Sequence, residues 1–349
     1  MTRSCGLLLG GLGLVAAMAG CDAGPPGPGL LLRAEQLTVT PSTGPVTHVQ
    51  AYNGTGRTFR GTLALTPPDG WKLNASEQPV TIPPGETARV AFAIERGVDS
   101  AENRYPVTIV AAGGEQRVER RQEIVCASAP YYKPTIDGAV EDWADAIPVT
   151  FASGGKRTTV STYWSRRSFS LLVAVEEDAL RRMPTSWNGE AIDAVQVSFS
   201  PRGAVTPPLW AGKASRYELL LAATKDGGRC VWLVRPGEQS QTGFRAFTDP
   251  EDVAGARIAV VRADGVTYYE CAIPLKALPL LRPDPGREFC FSLLVHDPGG
   301  TGLRDWGEAA GLWAHQRTDN AWTRWRGGQW PLRPPFDNKI EWGFCSSKH

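Results

Sequence analysis

The sequence predicts an all-β protein, built as two β-sandwiches in tandem. Three observations carry that prediction. Glycine and proline are abundant, at 38 and 28 of 349 residues, well above the usual ~12% for the pair. No long stretch repeats its apolar residues at helical spacing. Apolar and polar residues instead alternate in short runs separated by turn residues. The length suits two domains, and 42% hydrophobic residues is enough to bury a core in each. With 37 basic and 36 acidic side chains there is no global basic excess, which argues against a nucleic-acid partner.

The N-terminus is a separate element. Arg3 is the only charge before Asp22, and an apolar run from Leu7 to Met18 leads into Ala19-Gly20-Cys21. The run is too short for a stable membrane span and has the layout of a secretory signal peptide. The Met18-Ala19-Gly20-Cys21 string resembles the bacterial lipobox, which more often has Leu where Met18 stands. That resemblance implies loss of residues 1–20 and acylation of Cys21. It implies a lipoprotein held at the bacterial cell envelope, on the cell membrane or the outer membrane, by acyl chains alone. Residues 21–31, the lipidated cysteine and a Pro/Gly-rich stretch, read as an extended tether.

Residues 32–127 read as seven or eight short strands. Val90, Phe92 and Ile94 alternate with more polar neighbours, as do Leu63 and Leu65, and Val107 and Ile109 repeat the pattern. Pro67-Pro68-Asp69-Gly70, Pro83-Pro84-Gly85-Glu86 and Gly113-Gly114 supply turns. Strands this closely spaced suggest an immunoglobulin-like sandwich. The strings Thr66-Pro67-Pro68-Asp69-Gly70-Trp71 and Pro83-Pro84-Gly85-Glu86-Thr87, followed by Tyr105-Pro106-Val107, resemble the small immunoglobulin-like domain appended to some α-galactosidases. That family serves as a spacer or accessory module, so Trp71 is read as a packing residue.

Residues 128–349 form the larger unit. Its expected strands are 159–163, 169–175, 193–199, 217–223, 230–234, 257–262, 267–273 and 289–296, with helical turns at 177–182 and 275–280. Several strings resemble the family 9 carbohydrate-binding module, in that family's order. They are Pro134-Thr135-Ile136-Asp137-Gly138 with Glu141-Asp142-Trp143, Trp187 leading into Asp193-Ala194-Val195-Gln196-Val197, and Tyr269-Glu270-Cys271-Ala272-Ile273-Pro274. Phe291 to Asp297 and then Trp313 with Asn320-Ala321-Trp322 complete the series. The resemblance implies a carbohydrate-binding sandwich whose partner is a polysaccharide or oligosaccharide, with glycan-degrading enzymes as companions. It also implies that Trp187 and Trp322 sandwich the sugar. Gln196 stands where the family has a sugar-contacting glutamate, and its amide keeps both donor and acceptor. Tyr217-Glu218 stands where the family has a sugar-contacting arginine, with Arg216 beside it. The segment from Pro184 to Gly189 reads as an exposed loop.

Other chemistry is less well supported. No hydrolase signature accompanies any Asp or Glu, and no nucleophile elbow, zinc-protease or phosphate-loop motif occurs. Glu176-Glu177-Asp178 reads as a solvated turn. The family's structural calcium makes Asp297, in Asp297-Pro298-Gly299-Gly300-Thr301-Gly302, a candidate ligand. Few carboxylates gather there, so an Asp-capped glycine turn is the first reading. Related sandwiches hold b-type haem between a methionine and a histidine or lysine, which points to Met183 with His296 or His315 as an alternative. A surface module with no small ligand is the third reading. Five cysteines, Cys126, Cys230, Cys271, Cys290 and Cys345, remain after Cys5 and Cys21. A Cys126–Cys345 bridge would clasp the ends of the second unit.

Overall fold

The computed structural model describes residues 29–187, 190–203, 216–237, 250–306 and 340–346. Among them there is no α-helix, and the chain forms two sandwiches.

The first contains β1 (Leu30–Ala34), β2 (Val46–Asn53), β3 (Phe59–Thr66), β4 (Lys72–Leu73), β5 (Glu77–Ile82), β6 (Thr87–Arg96), β7 (Tyr105–Gly113) and β8 (Gln116–Ile124). One sheet has the order β1-β2-β6-β4 and the other β5-β3-β7-β8. The inward positions of the alternating strands, among them Val49, Leu63, Leu65, Phe92 and Ile109, make one core. Leu30 and Leu31, assigned to the tether by sequence, open β1 and pair with Asn53 and Tyr52. Trp71 stacks obliquely on Tyr105 at 5.2 Å and donates to the Val98 carbonyl, a packing role.

The second contains β9 (Ser128–Ala129), β10 (Val149–Ser153), β11 (Lys156–Trp164), β12 (Ser168–Glu176), β13 (Ala194–Pro201), β14 (Tyr217–Thr224), β15 (Gly227–Val234), β16 (Arg257–Ala263), β17 (Val266–Pro274), β18 (Glu288–Asp297), β19 (Gly302–Asp305) and β20 (Glu341–Phe344). A five-stranded sheet runs β10-β11-β12-β17-β16. It faces a seven-stranded sheet that runs β15-β14-β13-β18-β20-β9, with β19 also on β18. Phe169, Leu171, Val173, Val195, Val197, Phe199, Phe289 and Phe291 fill the space between them.

Two expected turns come out differently. Residues 177–182 are not helical, and Leu275–Ala277 is a single 3-10 turn. Glu177 is buried rather than solvated, because Arg262 and Thr267 reach its carboxyl and backbone. The cysteine clasp is also corrected. Cys126 and Cys345 are free, and the parallel register Gly343↔Ser128 and Phe344↔Ala129 sets Cys345 four positions beyond Cys126. At ~3.3 Å per residue that offset far exceeds the reach of a disulfide.

Candidate functional site

The site grows out of strand alternation in β13. Val195, Val197 and Phe199 enter the core between the sheets, so Gln196, Ser198 and Ser200 project from the outer face of the seven-stranded sheet. Register fixes their neighbours. Gln196 lies between Leu220 of β14 and Leu294 of β18, while Ser198 lies between Glu218 and Ser292. His296 and Glu218 are therefore diagonal neighbours of Gln196, within reach of a long side chain.

The side chains use that reach. Gln196 Nε2 donates to Glu218 Oε2 at 3.0 Å, and Gln196 Oε1 lies 3.0 Å from His296 Nε2. A carboxylate only accepts, so it fixes which way the amide points. The amide oxygen also only accepts, so His296 carries its proton on Nε2. Arg216 Nε donates to Glu218 Oε1 at 2.7 Å. The result is a continuous guanidinium–carboxylate–amide–imidazole row, flanked by Ser198, Ser200 and Ser292, all buried. Its mixture of donors and acceptors on one face matches what a polyhydroxylated ligand presents.

Gln196 and Arg216 both bond to Glu218, which stands between them, and His296 bonds to Gln196 on its other side. Glu218 interrupts the apolar run of β14, Tyr217-Glu218-Leu219-Leu220-Leu221. That break was visible in the sequence, but its partners were not.

Trp187 requires a correction. It is not on an exposed loop. Its ring is 1% exposed and packs with Met183, Ile192, Ala194, Leu220, Ala222 and Val231. Its Nε1 donates to the Glu190 carbonyl. The segment leading into β13 folds down on the outer face of β14 and β15, where Leu220 and Val231 offer an apolar seat. Trp187 therefore bounds the polar row as a buried wall, with no ring face open to solvent. Trp322, its expected partner, lies outside the described residues, as do Trp313, His315 and Cys21.

At the same end of the sheet, Asp193 precedes β13, Asp297 closes β18 and Glu177 follows β12. Burial pushes the Glu177 carboxyl up to about 7, helped by Asp193 and Asp297 and opposed by Thr267 and Arg262. Asp297 caps its turn, because its Oδ2 accepts from the Thr301 amide and hydroxyl. It also takes a 2.7 Å ion pair from the buried Arg304. Burial disfavours the Asp297 charge, yet the Thr301 and Arg304 contacts hold its pKa below the usual carboxylate value. A guanidinium thus sits where calcium would need a free carboxylate. Among the described residues no three carboxylate, histidine or cysteine side chains are grouped to hold a metal. The donor set does not fit calcium. Among the described residues haem finds no free ligand pair: Met183 Sδ takes a contact from Arg229 at 3.8 Å, and His296 Nε2 is engaged by Gln196.

Trp143 is a core residue. It stacks on Tyr163 with centroids 5.1 Å apart and donates from Nε1 to Glu270. The same Glu270 carboxylate accepts the amides of Asp137 and Gly138, so one buried acid pins the Ile136-to-Trp143 segment against the five-stranded sheet.

No curated protein matches the chain. Among solved structures, a family 9 carbohydrate-binding module from Caldicellulosiruptor kristjanssonii in complex with cellotriose is similar at 14% identity and a TM-score of 0.38, covering 63% of this chain and 93% of that one. The glucose complex of a family 9 module from the same organism is similar at 14% identity and a TM-score of 0.36, covering 63% and 95%. A FixG-related protein from Vibrio parahaemolyticus is similar at 13% identity and a TM-score of 0.22, covering 29% and 97%. In the first sandwich, residues 42–113 match the model of the NPCBM-associated, NEW3 domain of alpha-galactosidase.

Proposed function

We propose that this protein is a non-catalytic carbohydrate-binding lipoprotein of the bacterial cell envelope, anchored through Cys21. In this reading the first sandwich carries the second away from the membrane, and the second holds a polysaccharide or oligosaccharide for glycan-degrading enzymes. The observation that supports it is the row formed by Arg216, Glu218, Gln196 and His296. Two of its members occupy positions where the family 9 resemblance expects sugar contacts. The members of the row bond to one another, so a saccharide would exchange its hydroxyls for hydrogen bonds already present, with affinity set by the small surplus. A glycan array on the chain from residue 22 onward tests this. The expected result is a saccharide hit that Gln196→Leu weakens by about 1–3 kcal/mol; an array without hits would defeat it.

The anchor has its own test. Cys21→Ser should abolish incorporation of radiolabelled fatty acid and leave the chain in the soluble fraction. Equal label in wild type and variant would remove the lipoprotein assignment.

A second reading, a structural surface module with no small ligand, is favoured by the burial of Trp187 and Gln196. It expects Gln196→Leu to change stability with no loss of any binding.

A further inference from the structure

One end of the five-stranded sheet carries a cleft of about 520 Å³ that the reading above does not use. It lies where the β11–β12 turn, the end of β17 and the start of β16 meet. Ser168 pairs with Pro274, Arg257 pairs with Ala272, and the Leu275 amide donates to the Arg167 carbonyl. Five cations line it, Lys133, Arg166, Arg167, Arg257 and Lys276, and among the described residues no acidic one does. In a chain with 37 basic and 36 acidic residues, that local imbalance is large.

The pairing pattern sharpens it. Elsewhere Arg33, Arg89, Arg104, Arg157, Arg202, Arg216, Arg229, Arg235, Arg262 and Arg304 each meet a carboxylate, and what sets the cleft apart from scattered arginines such as Arg57, Arg96 and Arg282 is that five cations gather in one place. Among the described residues, none of the five cleft cations forms an ion pair. Like charges gathered without counter-charge repel one another, and an anionic ligand removes that cost while adding charge-assisted hydrogen bonds.

We propose that this cleft binds an anionic polysaccharide, one bearing carboxylates along its chain. Three features favour a saccharide over other polyanions. The site is concave, of a size typical for a ligand pocket, whereas a membrane surface would need a flat or convex face. Its floor between the cations is apolar, formed by Ala272, Pro274, Leu275 and Gly255, and suits the C–H faces of sugar rings. Ser168 adds a hydroxyl among the cations, a group that both donates to and accepts from sugar hydroxyls. A carboxylate on successive sugars would engage several of the cations at once, which a single phosphate could not. The site lies on the opposite sheet from Gln196 and stands whether or not the sheet-face row binds sugar.

The test is titration of the full soluble chain with polygalacturonate, and in parallel with a neutral cello-oligosaccharide, phosphatidylglycerol vesicles and single-stranded DNA. Polygalacturonate should bind, and binding should weaken as salt is raised. Arg166→Glu with Arg167→Glu should cost about tenfold or more in affinity, as should the milder pair Arg166→Gln with Arg167→Gln. Both sites are exposed, so thermal melts should match wild type. Gln196→Leu should leave polygalacturonate binding unchanged, separating this site from the sheet-face row. Absence of polygalacturonate binding would overturn the proposal, as would binding indifferent to both double variants. Vesicles or DNA bound in preference to polygalacturonate would overturn the ligand class.

Discussion

Trp187 and Trp143 show how burial decides a residue's role. Both rings are enclosed and both indole N–H groups are satisfied, so truncating either opens a cavity. Trp187→Ala and Trp143→Ala should each lose about 3–5 kcal/mol in denaturant unfolding. A Trp187→Ala protein as stable as wild type would contradict the burial. Two glutamates push the pH response in opposite directions. The pKa of Glu177 in the folded state is about 7, above its ordinary 4.5, so between those values the folded protein keeps a proton that the unfolded chain releases. Its contribution to stability therefore grows as pH falls from 7 to 4.5. Glu35 behaves oppositely. Burial disfavours its charge, but the Arg89 hydrogen bond, Arg202 and Gln50 outweigh that and hold it at about 2. Its contribution is present above 4.5 and is lost as pH falls toward 2. Melting temperature should peak near pH 4.5–5 on these two groups, and Glu177→Gln should flatten the neutral side of the profile. The plateau penalty that Glu177→Gln relieves above pH 7 is on the order of 3 kcal/mol.

At the scale of elements, β15 crosses close to the opposite sheet. A Cβ on Gly228 would stand 2.8 Å from Val260 Cγ2 and 3.0 Å from Ile258 Cγ1. Two residues on, Cys230 shares Gly228's face and lies near Cys271, which pairs in register with Ile258. The neighbouring Cys230 thiol comes first, and burial second, in pushing the Cys271 thiol well above its usual range. Both thiols should resist alkylation in the native protein and react together on unfolding, measured by mass spectrometry across a urea series. Early labelling of either one alone would mean that the sheets part there. Gly228→Ala should cost about 1–3 kcal/mol by overpacking.

Across the whole molecule, the two sandwiches are joined by more than a linker. The Thr38 hydroxyl donates to Glu288 of the second sandwich at 3.1 Å, and the Asn103 amide donates to the Pro148 carbonyl at 2.8 Å. Arg202, from the second sandwich, reaches Glu35 of the first at 2.6 Å. It also meets Glu341 at 3.1 Å and Glu288 at 3.4 Å, while Arg33 crosses back to Glu341 at 2.8 Å. Glu35 and Glu341 are both nearly inaccessible, so removing a guanidinium leaves buried charge under-compensated. Arg202→Ala should destabilise by about 3 kcal/mol and split thermal unfolding into two steps. A single cooperative transition at the wild-type temperature would show that the network does not couple the domains.

The sequence by itself determined the all-β class, and it placed strands within a few residues in the second sandwich, from β11 at Lys156–Trp164 to β18 at Glu288–Asp297. Period-two alternation and turn residues are local signals, and a strand needs nothing else to be recognised. The shortest strands were not legible: β9 and β20 have two and four residues, too few to show a period. Gln196 and Arg216 were legible as site candidates, but their bonds through Glu218 were not, because register between β13 and β14 is set by folding the two strands together. The clearest reversals, Trp187 and Glu177, have the same physical origin. Their neighbours in the chain are polar, so both read as exposed. The surfaces that bury them, Leu220 and Val231 for one and Arg262 and Thr267 for the other, come from strands thirty to ninety residues away. Burial is a property of the pair of surfaces that meet, and only the tertiary structure decides which surfaces those are.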